Sequence, residues 1–155
     1  ADFLFTPVFD FDQAKATVAD ITERAASVNR EVDVLTFCTV VCRPTQQEAD
    51  DYLNWYAEEQ ADWQAVDNLM TLQGMHAQSF TPEALALYRD RMAAGHGGFP
   101  LVGTPDAITD SLEKLSATGI AGTTLAFVDY AKEFPYFRQE VLPRLEAKGL
   151  RQPVN

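Results

Sequence analysis

Basic residues are scarce in this 155-residue chain: twelve Lys and Arg stand against 23 Asp and Glu, a formal charge of −11. Nucleic-acid phosphates need clustered cations, so the balance excludes a nucleic-acid partner. The scattered acids serve solubility and say little about fold. Long apolar runs are absent as well. No stretch approaches the roughly 18 residues of a membrane span, and no signal-peptide pattern precedes the first strand-like run. Cysteine is limited to Cys38 and Cys42, four positions apart in one strand-like segment. At roughly 3.3 Å per residue their α-carbons lie about 13 Å apart, too far for a disulfide, which tolerates about 7 Å. Reduced thiols in a cytoplasmic protein are the simplest reading. The two histidines, His76 and His96, are twenty positions apart, and neither Cys-x-x-Cys nor His-Glu-x-x-His occurs. No metal site is expected.

What is present is an ordinary globular composition, 46% hydrophobic and 23% charged, in a length that suits one domain over residues 1–155. Four short apolar runs read as strands: Phe3–Thr6, Val32–Cys42, Phe99–Val102 and Thr123–Val128. Helical patterns with clear start signals lie between them. Asp10 can cap a helix carrying Ala14, Val18, Ile21 and Ala25 on one stripe. Thr45 and Glu48 form a capping box for a helix predicted to run to about Gln60. Further helices are predicted over 61–71 and 82–94, and Gly95-His96-Gly97-Gly98 breaks the pattern before the third strand. Thr104-Pro105-Asp106 opens another helix. The last is predicted over Pro135–Lys148, with Gly149 as its stop. Strand–helix alternation of this kind implies a mainly parallel sheet. Four strand–helix units amount to half of a closed eight-unit barrel, which takes about 250 residues. The expected fold is therefore α/β, a half-barrel with a helical insertion over about 61–98 and its strands in sequential order. An opening strand with no initiator Met also suggests a fragment or a processed product.

The last third carries a family resemblance. Leu101-Val102-Gly103-Thr104-Pro105-Asp106, then Gly119-Ile120-Ala121-Gly122-Thr123-Thr124-Leu125, then Phe127-Val128-Asp129-Tyr130 and Val141-Leu142-Pro143-Arg144-Leu145 resemble the closing units of luciferase-like flavin-dependent monooxygenases. Upstream, Val41-Cys42-Arg43-Pro44-Thr45 looks like the end of that family's sixth strand. Within the family, Phe127-Val128-Asp129-Tyr130 and Gly97-Gly98-Phe99-Pro100 look most like the dimethyl-sulfone and alkanesulfonate branch. The resemblance implies the C-terminal half of a (β/α)8 TIM barrel and a two-component system. A separate flavin reductase would supply reduced FMN, oxygen would be activated on it, and a small organosulfur molecule would be oxidised. A deazaflavin-dependent oxidoreductase of the same superfamily, or a non-catalytic half-barrel acting as an assembly module, is the alternative. Where alkanesulfonate enzymes are expected to carry Arg-x-His, this chain reads Phe37-Cys38-Thr39, which favours a neutral substrate.

Barrel enzymes place chemistry at the C-terminal ends of the strands and in the loops that follow. Thr6 and Thr39 are therefore candidate flavin-wall residues, and Gly97 and Gly98 belong to a loop that allows close backbone approach. His96 is the leading candidate for a proton-handling group in a lid over the flavin, with His76 the second. The resemblance places the phosphate clamps upstream, so the missing N-terminal half of the barrel is an expected partner, along with the reductase and further copies of the chain.

Overall fold

A computed structural model describes residues 2–75 and 80–153. Its elements follow the expected alternation. Strand β1 (Phe3–Phe5) leads to helix α1 (Phe11–Ser27), then β2 (Asp33–Cys42) and α2 (Gln46–Asn54), which continues as a π-turn over Trp55–Glu59. Helices α3 (Trp63–Leu72) and α4 (Pro82–Gly95) come next, then β3 (Phe99–Gly103), α5 (Pro105–Ala117), β4 (Gly122–Ala126), α6 (Tyr130–Glu140) and α7 (Leu142–Ala147). The caps read from the sequence form. Asp10 accepts from Gln13 N at 2.7 Å, Thr45 and Glu48 make the reciprocal box, and Thr104 caps α5.

Two helices depart from expectation. The second stays α-helical only to Asn54, because the turn widens at Trp55–Glu59. The last begins five residues early, at Tyr130, where Asp129 accepts from the backbone of Ala131 and Lys132. It is then interrupted at Val141. Pro143 explains the interruption: it has no N–H to give to the carbonyl of Gln139, and its ring crowds that carbonyl.

All four strands are parallel, but their order across the sheet is not sequential. β1 pairs with β2 at 33–35, β3 pairs with β2 at 38–42, and β4 pairs with β2 at 35–39. Alternate residues of a strand turn their backbone groups to opposite edges. Odd positions of β2 meet β1 and β3: Thr6 N reaches Leu35 O, and Arg43 N reaches Gly103 O. Even positions meet β4, with Ala121 N bonded to Val34 O at 2.8 Å. The continuous wall is therefore β1–β2–β4, and β3 continues the line of β1 along the upper part of the same edge. The expected β3–β4 neighbourhood gives way because the helical insertion delivers β3 to the far side of β2.

The two faces of β2 divide cleanly. Val34, Cys38, Val40 and Cys42 join a core with Val18, Ile108, Leu115, Phe137 and Val141 from the helices. Leu35, Phe37, Thr39 and Val41 alternate onto the other face. On β1, Phe3 and Phe5 share that face by register and remain 62% and 53% exposed. Thr36, on the helix-covered side, donates its hydroxyl to Thr6 O at 2.8 Å.

Both thiols are free and buried. Burial pushes Cys38 from 9.0 up to about 11, opposed by the Thr123 hydroxyl bonded to it; burial raises Cys42 likewise to about 11, opposed mainly by Arg43. A thiol whose folded pKa is raised stabilises the fold fully below its unfolded value and loses that contribution as pH climbs through the folded one. Unfolding free energy should therefore fall between about pH 9 and about pH 11 in urea titrations. Substituting both Cys38 and Cys42 with Ala should flatten part of that fall.

Candidate functional site

At the C-terminal ends of β2 and β4 the chain brings together its most interactive polar groups. Arg43, the first residue after β2, donates to Glu133 Oε1 at 2.6 Å and to Cys42 O at 2.9 Å, and its guanidinium lies 4.0 Å from the Tyr52 ring centre. The Glu133 side chain is only 7% exposed. Its second oxygen accepts from the backbone of Val128 at 3.1 Å and Asp129 at 3.4 Å. One carboxylate thus locks the turn after β4 while one arginine ties that turn to β2. Charge-assisted bonds in so dry a setting are among the stronger ones a protein makes. Burial, and after it Glu133, hold the Tyr52 phenol above its usual range.

Beside this cluster, on the sheet face away from the helical core, lies a cavity of about 220 Å³. Its lining includes Thr39, Tyr56, Ala94, Gly95, Ala126 and Val128, with no charged side chain among the described residues. The insertion forms one side of it. α4 ends against Thr39, and its Ala94 carbonyl accepts from the Tyr56 hydroxyl at 3.0 Å. Arg91, one turn earlier on α4, donates to Val8 O at 2.7 Å and Phe9 O at 2.9 Å. These bonds pin the insertion to the turn after β1. Arg89, paired with Asp67 and stacked over Trp63, holds α3 to α4.

The site residues expected from sequence are only partly assembled. Thr39, Gly98 and Gly95 converge: Thr39 is buried, and its hydroxyl lies 3.5 Å from Gly98 O. Gly97 has φ +80°, and a β-carbon there would meet the Tyr88 hydroxyl at 2.8 Å. Thr6 sits apart. It is buried just past the end of β1, where its carbonyl accepts from Thr36 on the helix-covered side, with its hydroxyl 3.4 Å from Pro7 O. His96 is exposed as the left-handed cap of α4, with φ 56°. His76 lies outside the described residues. Tyr56 is not revealed by the sequence, because helical spacing cannot show that the turn widens beneath it.

No cluster of His, Cys, Asp and Glu suited to a metal occurs among the described residues. No described helix is long and apolar enough to cross a membrane.

Comparison with known proteins gives consistent likenesses. Residues 1–122 match the model of the luciferase-like monooxygenase family. An FMNH2-dependent dimethylsulfone monooxygenase of Pseudomonas fluorescens is 32% identical over 96% of this chain and 43% of its own length. Among solved structures, DmoA from Hyphomicrobium sulfonivorans superposes with a TM-score of 0.78 at 18% identity, over 96% of this chain and 38% of its own. The coenzyme F420 dependent tetrahydromethanopterin reductase of Methanopyrus kandleri follows at 0.58 and 18%, over 93% and 45%. The chain thus spans about two fifths of the length of such relatives, and its α/β architecture is that of a half-barrel.

Gly95 supports a direct test of the close packing against Thr39. Its φ is +156°, and a β-carbon there would stand 1.9 Å from Thr39 Cγ2. Gly95→Ala should destabilise the chain by about 1–3 kcal/mol in urea denaturation, the usual cost of overpacking. Adding Thr39→Ser, which removes that methyl, should recover part of the loss.

Proposed function

This chain belongs to the luciferase-like monooxygenase family, and from that premise we propose that it forms the C-terminal half of the barrel of a two-component, reduced-FMN-dependent monooxygenase. The observation that carries the reading is the uncharged cavity between Thr39, the end of β4 and the C-terminal end of α4. It lies where barrel enzymes keep their chemistry. Its residues fit one wall around a flat ring system. They do not fit a phosphate: Arg43 is engaged by Glu133, and Arg91 by two backbone carbonyls. The phosphate anchor is then a task for the other half of the barrel.

Bound reduced flavin would supply the activation of oxygen. The chain's own part is to shape and dry the pocket. Thr39 and the Gly95–Gly98 loop form a close-packed floor, the Arg43–Glu133 pair fixes the β4 end, and Arg91 holds the insertion over both. Water exclusion protects reactive oxygen chemistry from side reactions. The substrate is read as a small neutral organosulfur compound. Support comes from the uncharged lining, from Phe37-Cys38-Thr39 in place of a cationic pair, and from the name of the Pseudomonas relative. His96, exposed at the end of α4, is proposed as a proton-handling residue. A separate flavin reductase, the N-terminal half-barrel and further copies of the chain are the proposed partners, in the cytoplasm. The exposed Phe3 and Phe5, and strands β1 and β4 that pair only with β2 among the described residues, are the surfaces such partners would cover.

The fold likeness to the F420-dependent reductase keeps a deazaflavin reading in view. Difference spectra of the intact protein with FMN and with the deazaflavin separate the two, and binding of neither would leave the assembly-module reading.

Residues 1–155 alone should show negligible FMN affinity in fluorescence titration, while the intact barrel binds reduced FMN. Two or three missing charge-assisted bonds, at roughly 1.5–3 kcal/mol each, weaken binding at least about a hundredfold. Micromolar binding by the isolated segment would overturn the half-site reading. In the intact protein His96→Ala should lower turnover more than flavin affinity.

A further inference from the structure

The π-turn at Trp55–Glu59 has a consequence for the cavity. Gln60 N bonds back to Trp55 O at 3.0 Å, closing the wide turn. Such single turns are unfavourable in isolation and recur where a side chain must be set for function. Here the turn carries Tyr56 to the cavity wall, next to Thr39 and Gly95. The Tyr56 hydroxyl donates to the carbonyl of Ala94, in the last turn of α4, where helix carbonyls have no partner of their own. The phenol has only one proton to give. With that proton engaged, its oxygen offers lone pairs, and the nearby end of α4 is the negative end of a helix dipole. The polar side of this cavity therefore favours a hydrogen-bond donor on its ligand.

We propose that Tyr56 contacts the bound flavin ring as an acceptor, taking a hydrogen bond from the ring N–H that exists only in the reduced state. This rests on the flavin reading above. The central ring nitrogen, N5, carries a hydrogen in dihydroflavin and a lone pair in oxidised flavin. An oxygen with its own proton committed elsewhere attracts the first and repels the second. The wall then selects for reduced flavin, as suits a protein that receives its cofactor already reduced. The acceptor state is robust: burial first, then the charges of Glu133 and Tyr52, raise the Tyr56 phenol to about 12, against the opposing pull of Arg43. The proton on the Ala94 carbonyl therefore stays in place across ordinary working pH.

The test is Tyr56→Phe in the intact protein, which keeps the ring and removes only the oxygen. Anaerobic titration with reduced FMN should show affinity about tenfold weaker, while oxidised FMN binds as before or slightly tighter. The potential of the bound flavin should fall by about 30 mV, the two-electron equivalent of a tenfold change. Equal weakening of both redox states would reduce Tyr56 to a prop for α4 and overturn the proposal, as would no change in either. A wild-type readout is independent of the variant's folding. The ¹⁵N resonance of N5 in bound reduced flavin should lie at a hydrogen-bonded position, and a value typical of an unbonded N–H would also overturn it. Wild-type protein that binds neither form of FMN defeats the flavin reading itself, an outcome distinct from any change made by Tyr56→Phe.

Discussion

Everything in this fold depends on the backbone of β2. Among the described residues it is the one strand that pairs with all three others, and its ten residues are long enough to take β1 and β3 end to end on one edge while β4 runs along the other. Its side chains are equally divided. Even positions close the helical core, and odd positions face the side where the cavity lies. Val34 and Val40 are almost fully buried on the helical side, each worth roughly 1.5–3 kcal/mol relative to exposure. Thr39, one position from Cys38, floors the cavity instead. The alternation of a single strand thus separates structural packing from the proposed chemistry.

Two arginines extend that arrangement upward, and both do so through backbone. Arg43 and Glu133 join the end of β2 to the turn after β4, where the carboxylate also satisfies two backbone N–H groups. Arg91 joins α4 to the carbonyls after β1. Burial lowers its guanidinium below the usual range, and its Nε is buried without a partner. Such a cost is tolerable because two charge-assisted bonds and the flanking rings of Phe9 and Phe99 offset it. The insertion is therefore held across the mouth of the half-barrel by specific polar contacts, and its own small core of Val66, Met70 and Met92 keeps it a unit.

Much of this was legible in the sequence because it is local. Caps at Asp10, Thr45 and Thr104 need only a side-chain oxygen three positions before a backbone donor. The opposite facing of Cys38 and Thr39 follows from a period of two. Spacing alone kept the cysteines apart, and they are free. The meeting of Thr39 with the Gly95–Gly98 loop was not legible, since the sequence offered Thr39 for the wall and the loop for a separate cover. Glu133 was missed, because a lone acid inside a helix gives no sign that it will bond to the turn before it and to an arginine ninety residues away.

The sequence by itself determined the α/β alternation, the parallel character of the sheet, the helix starts, and which residues of each strand share a face. It did not determine strand order. Periodicity specifies a face, but a strand has two edges, and which neighbour takes which edge depends on where the connecting helices can pack. That is why β4 lies beside β2 while β3 continues the line of β1. Nor could it show Tyr56 at the cavity. The widening of a helical turn by one residue leaves no mark in the spacing, and the Ala94 carbonyl that receives the Tyr56 hydroxyl is brought close only by the tertiary fold.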